Sequence, residues 1–263
     1  MGFVKSAEEI ARIEHALSFP RFVGGQMLSV EFLSDESVVA EILPPPLEPT
    51  DVPAARAMVG RWESNCVGDF SGGSIYVSAR HEGVEGEYVL AMYMNSDVPT
   101  IYGRDLFGEP KKIAASELRR RGDAFRGYVE RGGARIIDLQ GEMSKDLGAF
   151  DAEGYNFNFK ARPEASGCGL QEDAILTRAH FDVHATAARE GAGSVVLRGT
   201  VHDPLDELPV RSVTKATYTE CDLIGSCEAV ATTPADVFAP YHHGRHDDWS
   251  ALDTESAAVV PVA

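Results

Sequence analysis

The sequence is poor in cysteine, in positive charge and in long apolar runs, and each shortage closes off a class of function. Its 263 residues include four cysteines, Cys66, Cys168, Cys221 and Cys227. No two are spaced C-x-x-C, so neither a zinc ribbon nor a small disulfide scaffold is expected, and the thiols are read as reduced. Lys and Arg number 24 against 41 Asp and Glu, a net charge of -17. Nucleic acid and anionic membranes need a basic footprint, so neither is expected as a partner. No apolar run reaches the ~18 residues of a membrane-crossing helix. The opening residues Met1 to Glu9 are polar and lack the apolar centre of a signal segment, which predicts a soluble, cytoplasmic protein. Gly/Ser-rich linkers, charged linkers and internal repeats are missing too, and one domain is expected over residues 1–263.

What the chain does have is alternation. Ser6 and Glu9 stand at capping-box spacing, and Ile10, Ile13, Ala16 and Leu17 recur at helical intervals, predicting a helix over about 7–17. Strand patterns follow over 27–33, 54–62, 73–80 and 88–94, with a short helix from Ser34 to Ile42 stopped by Pro44 to Pro46. A hairpin around Arg119-Arg120-Arg121 and further strands over 134–140, 156–160, 174–185, 194–201 and 213–223 complete the series. The turn residues between them predict a mainly β (α+β) fold, an antiparallel, barrel-like sheet with a few short helices, and not a βαβ fold.

Two other patterns invite a ligand. Gly68-Asp69-Phe70-Ser71-Gly72-Gly73 is a turn-rich stretch without the Lys-Ser/Thr of a P-loop or a spaced G-x-G-x-x-G, so no nucleotide role is expected. His180 and His184 would share one face of a helix, but on a strand they stand ~13 Å apart, too far to hold one metal. The alternation of Ala179 to His184 favours the strand. Tyr241-His242-His243-Gly244-Arg245-His246 could chelate a metal in principle, yet a mobile polar tail over about 242–263 is expected, and no metal site.

The segment with most chemical promise is Gly103-Arg104-Asp105-Leu106-Phe107-Gly108-Glu109-Pro110-Lys111-Lys112, placed after the apolar run Tyr88 to Met94. Lys-Lys pairs are usually solvated surface. A lysine that attacks a carbonyl must be neutral, and bringing its pKa from ~10.4 to near 7 takes about 4.6 kcal/mol of differential destabilisation of the ammonium. Burial and a second cation both act in that direction. Adjacent side chains on an extended segment point to opposite faces, so burial of Lys111 among Phe107, Met92 and Tyr93 is the larger expected effect. Two-residue spacing puts Glu109 on the side of Lys111, and Pro110 favours an extended Glu109, which makes Glu109 a candidate proton-transfer group.

The same segment, with Gly86-Glu87-Tyr88-Val89-Leu90-Ala91-Met92-Tyr93-Met94 and Val98-Pro99 before it, resembles the signature of the acetoacetate decarboxylase family. Leu43-Pro44-Pro45-Pro46-Leu47-Glu48 and Asp203-Pro204-Leu205-Asp206-Glu207-Leu208-Pro209-Val210 resemble two flanking family segments, extending the likeness over roughly residues 20–240. The resemblance implies that Lys111 forms a Schiff base with a ketone and that Lys112 tunes it. It further implies a homo-oligomer that acts on a small keto acid, with no metal or organic cofactor. Arg104, Met92, Phe107, Phe70 and Glu63 are the candidate substrate-binding residues.

The family pattern has an arginine early in the chain and a glutamate just before the strand that begins near Ser74. Gly25 and Phe70 stand at those places, and Asp69 or Glu63 could approach the second only by a shifted loop. Decarboxylation of a β-keto acid of acetoacetate type is the first expectation. An imine-based aldolase or dehydratase and a non-catalytic carbonyl-binding protein are the alternatives.

Overall fold

The computed structural model describes residues 2–250. The capping box closes as its spacing requires, with Ser6 Oγ accepting from the Glu9 amide and Glu9 Oε2 accepting from the Ser6 amide at 2.8 Å, and α1 (Ala7–Ser18) starts there. Then come β1 (Arg21–Leu33), α2 (Glu36–Ile42), β2 (Glu48–Pro49), β3 (Ala54–Ser64), β4 (Phe70–His81) and β5 (Val84–Met94). A helical crossover, α3 (Asp97–Tyr102) continued by a π turn (Gly103–Phe107), leads to β6 (Lys111–Ile113). The second half holds β7 (Ala115–Arg121), β8 (Ala124–Arg131), β9 (Ala134–Asp146), β10 (Phe150–Lys160), β11 (Ala174–Leu197), β12 (Gly199–Thr200), β13 (Asp203–Pro204), β14 (Ser212–Thr233) and α4 (Ala235–His243).

The strands close into a barrel in the order β10, β5, β4, β3, β1, β14, β11 and back to β10. Pairing is antiparallel except where β5 meets β10 and β6. Beyond β11 the sheet continues through β9, β8 and β7 and folds back over β3 and β4, so that Gly127 sits against Val59 and Gly73 against Val129. The period-2 pattern of the central strands now has a meaning on each face. Leu28, Val30, Val59, Ile75, Val77 and Tyr93 point into the main core between the two layers. Met27, Arg56, Met58, Ser74, Tyr76, Met92 and Met94 point the other way and line a cavity.

Two expectations are corrected, and one stretch takes a form the sequence had left open. The segments 174–185 and 194–201 are not separate strands, because β11 runs through from Ala174 to Leu197, pairing with β10 along its first half and with β9 along its second. The stretch before the lysines is helical; Ser96 stands at its N-cap and Pro99 falls in its first turn, where a missing amide costs nothing. Residues 242–250 are not a loose tail. α4 packs Phe238 onto Phe159 at 4.7 Å, and Arg245 donates to the carbonyls of Gly108 and Phe159. The rest of the expected tail, 251–263, lies outside the described residues. Among those residues, no helix is long and apolar enough to cross a membrane.

The docked terminus makes one stability prediction. Burial, reinforced by His246, Arg245, His243 and Arg104, pushes His242 down to about 4. Once unfolded, its imidazole titrates near ~6.5, so between about pH 6.5 and 4 the unfolded chain takes up a proton that the folded chain refuses. Stability contributed by neutral His242 is whole above that window and is lost as pH falls through it, by about 1–3 kcal/mol. Tm measured across this range should fall more steeply in the wild type than in His242→Phe; equal slopes would place the acid sensitivity elsewhere.

Candidate active site

The π turn ends at Gly108, whose φ of 79° is left-handed and suits glycine. From there Glu109 and Pro110 run extended into β6, which pairs with β5 so that Lys111 is level with Met92 and Lys112 with Tyr93. Lys111 Nζ lies 2.7 Å from Glu109 Oε2, with the two side chains 9% and 7% exposed. The contact is an ion pair without hydrogen-bond alignment. Gly103 backs directly onto it. A Cβ there would fall on Glu109 Oε2 and within 2.5 Å of Lys111 Cδ and Nζ.

Because those obstructing atoms are the ends of flexible side chains, Gly103→Ala is expected to move the Lys111–Glu109 pair rather than unfold the protein. Misplacement on this scale costs roughly tenfold to a hundredfold in kcat/KM. Steady-state kinetics beside a melting curve would check this, and full activity would show the pair has slack.

Lys111 opens onto a cavity of about 250 Å³, with walls that include Phe22, Met27, Met58, Trp62, Phe70, Met92, Met94 and Phe181. Of the residues singled out in the sequence, Lys111, Glu109, Met92 and Phe70 meet here. The others do not. Lys112 faces the opposite layer, where its Nζ pairs with Asp203 and Asp247 at 3.0 Å each and donates to the His202 carbonyl. Arg131 bridges the same two carboxylates, and Tyr93 OH donates to Asp203, so Tyr93 is also turned away from Lys111. Burial raises Asp247, but Arg131 and Lys112 outweigh it and hold that carboxyl at about 2. Lys112 is therefore a neutralised partner in a buried network and not a bare cation beside Lys111.

Arg104 donates to the Lys111 carbonyl at 3.1 Å and lines a different, solvent-open pocket with Arg245 and His246; it stands behind the strand, out of the cavity. Phe107 packs on Tyr102 and Phe181 and supports the wall from outside. Glu63 is exposed on β3, and Asp69 is exposed as well. His180 and His184 lie on β11, where they contact different acids, Glu153 and Asp151.

Sequence reasoning missed Arg56. It sits on β3 facing the cavity, donating Nε to Glu87 Oε1 at 2.8 Å and Nη2 to Glu87 Oε2, with its guanidinium 4.2 Å from the Tyr76 ring centroid. Its signal was an arginine inside the apolar run Ala54 to Val59, since charged residues are rarely buried unless paired. The two places that lack the family's charges are also explained. The Trp62 indole occupies the space that a Gly25 side chain would enter, with Cδ1 2.8 Å from the position of a Cβ. Phe70 then stacks on Trp62 at 5.2 Å and 24°.

Comparison with known proteins identifies the family and the fold. Residues 11–232 match the family model described as Acetoacetate decarboxylase (ADC). The acetoacetate decarboxylase of Burkholderia cenocepacia (strain HI2424) is 28% identical over 209 residues, covering 77% of this chain and 84% of that protein. The acetoacetate decarboxylase structure from Legionella pneumophila superposes with a TM-score of 0.74 at 23% identity, over 81% of this chain and 87% of that one. The enduracididine biosynthesis enzyme MppR complexed with pyruvate superposes with a TM-score of 0.70 at 16% identity, over 81% and 90%. By sequence and fold, the chain belongs to the acetoacetate decarboxylase family.

Proposed function

We propose that the protein is a lysine-imine lyase that decarboxylates a 3-oxo acid at Lys111. The observation that carries this reading is a buried lysine paired with a buried carboxylate, opening onto an apolar cavity. Lys111 Nζ adds to the ketone carbon and the carbinolamine loses water, leaving a protonated imine. The bond from the α-carbon to the carboxylate then breaks, its electron pair moves into the iminium, and carbon dioxide departs. The enamine takes a proton at carbon, and water releases the ketone and restores Lys111.

Glu109 takes the proton that the ammonium must lose and returns it to the departing water; reprotonated from solvent, it then delivers a second proton to the enamine carbon, all within reach of one carboxylate. The imine is the electron sink, the water lost on imine formation is regained on hydrolysis, and the one proton consumed with each carbon dioxide released comes from solvent. Arg56 is the cation of the cavity wall besides Lys111 and the residue best placed to orient a substrate carboxylate. Both Arg104 and Lys112 support the strand that carries the nucleophile. A second reading, imine-based condensation of a keto acid with an aldehyde, is favoured by one observation. MppR, which shares the fold, has been seen with the condensation product of pyruvate and imidazole 4-carboxaldehyde.

Borohydride reduction during incubation with β-keto and α-keto acids, followed by intact mass and peptide mapping, tests the proposal. A reduced adduct on Lys111, absent from Lys111→Met, is expected, and its mass reports whether carbon dioxide has left. If no carbonyl compound gives an adduct, a non-catalytic binding protein becomes the better reading.

A further inference from the structure

The cavity has a polar end and an apolar end, and strand register fixes which is which. Lys111 is level with Met92, Ser74 and Met58 across β6, β5, β4 and β3. Two residues along in one direction lie Tyr76 and Arg56, opposite each other. Two along in the other direction come Met94, Gly72, Gly60 and Met27, and beyond them the Phe70–Trp62 pair. Each two-residue step is ~6.6 Å, so Lys111 stands between the ends.

At the polar end Glu87 occupies Nε and Nη2 of Arg56, leaving Nη1 with a 3.5 Å contact to Ser29 Oγ. A substrate carboxylate placed there would be oriented without being fully neutralised, and orientation that does not stabilise the lost charge favours its departure. At the apolar end the indole of Trp62 is seated over two glycines. A Cβ on Gly25 would lie 2.8 Å from its Cδ1, and one on Gly60 would lie 2.7 Å from its Cη2. Phe70 stacks on the indole, and Phe22 meets Phe70 edge-on at 5.9 Å and 83°. Met27, Met58, Met92 and Met94, four of the six methionines in the chain, supply adaptable wall around them.

We infer that the substrate is a 3-oxo acid whose ketone carries an aromatic or similarly flat apolar substituent, bound against Trp62 and Phe70 with the carboxylate toward Arg56. A methyl substituent would leave that end of the cavity wetted apolar surface, and 250 Å³ approaches the ~300 Å³ at which sites for drug-sized ligands begin. This inference rests on the Lys111 imine reading.

The test compares acetoacetate with 3-oxo-5-phenylpentanoate, whose ketones are both flanked by saturated carbon, by carbon dioxide release and by borohydride trapping in parallel. The phenyl acid should show kcat/KM higher by at least about tenfold. The ratio of the two should collapse in Trp62→Leu and fall in Phe70→Leu, a milder change at a partly exposed position that keeps the test open if Trp62→Leu folds poorly. Acetoacetate turned over as well or better, with both acids trapped on Lys111, would overturn the substituent and leave the imine reading standing. No trapping by either acid would remove both.

Discussion

Lys111→Met is expected to lower kcat/KM for a 3-oxo acid by about 10⁴-fold or more, the scale on which covalent catalysis fails when its nucleophile is removed. Without the amine, no electron sink stands next to the bond that must break. Stability should change as well, and in a way that can be separated from activity. The variant leaves Glu109 buried without its cation, and breaking a buried pair from one side costs about 3–5 kcal/mol. Replacing both partners, in Lys111→Met/Glu109→Gln, removes both charges and should restore most of the loss, because a buried ion pair contributes little net stability against a neutral pair. Denaturant unfolding of the wild type and both variants, beside their kinetics, checks this. Turnover within about tenfold of wild type in Lys111→Met would end the imine mechanism.

Glu109→Gln should cost about 10²–10³-fold in turnover while still allowing borohydride to trap some imine on Lys111. Glutamine fills the same space but can neither accept the ammonium proton nor deliver one to the enamine. The loss should therefore fall on proton-transfer steps, and one limb of the pH-rate profile should flatten. An unaltered profile would reduce Glu109 to a structural counter-ion for Lys111, 2.7 Å away.

Much of the barrel could be read from alternation because successive side chains of β1, β3, β4 and β5 turn between the main core and the cavity, even along β4, where both faces are largely buried. The break expected within β11, between 185 and 194, contains Gly191 and Gly193. They are places where strands crowd; a Cβ on Gly193 would lie 2.5 Å from that of Ala216, and Gly191 faces the Glu142 carbonyl. Nearby residues in sequence were legible in the site too, since an extended Glu109-Pro110-Lys111 forces its first and last side chains together. Arg56 and Trp62 were not, because what brings them to Lys111 is the register of β3 against β4 and of β4 against β5. Register depends on long-range pairing that one strand's composition does not state. Lys112 misled for the opposite reason: its partners Asp203 and Asp247 lie far along the chain, so in sequence it looked like an unpaired cation.

That last network bears on how the protein is made. β6 is three residues long, and Lys112, its middle residue, is fastened by Asp203, 91 positions later, and by Asp247 after α4. A chain emerging from the ribosome amino end first exposes Lys111 early but cannot fully clamp its strand until synthesis has passed Asp247. Truncated products and nascent chains would thus carry the nucleophile without a rigid seat for it. On the imine proposal, synthesis past α4 to Asp247 is what seats Lys111 for carbonyl chemistry.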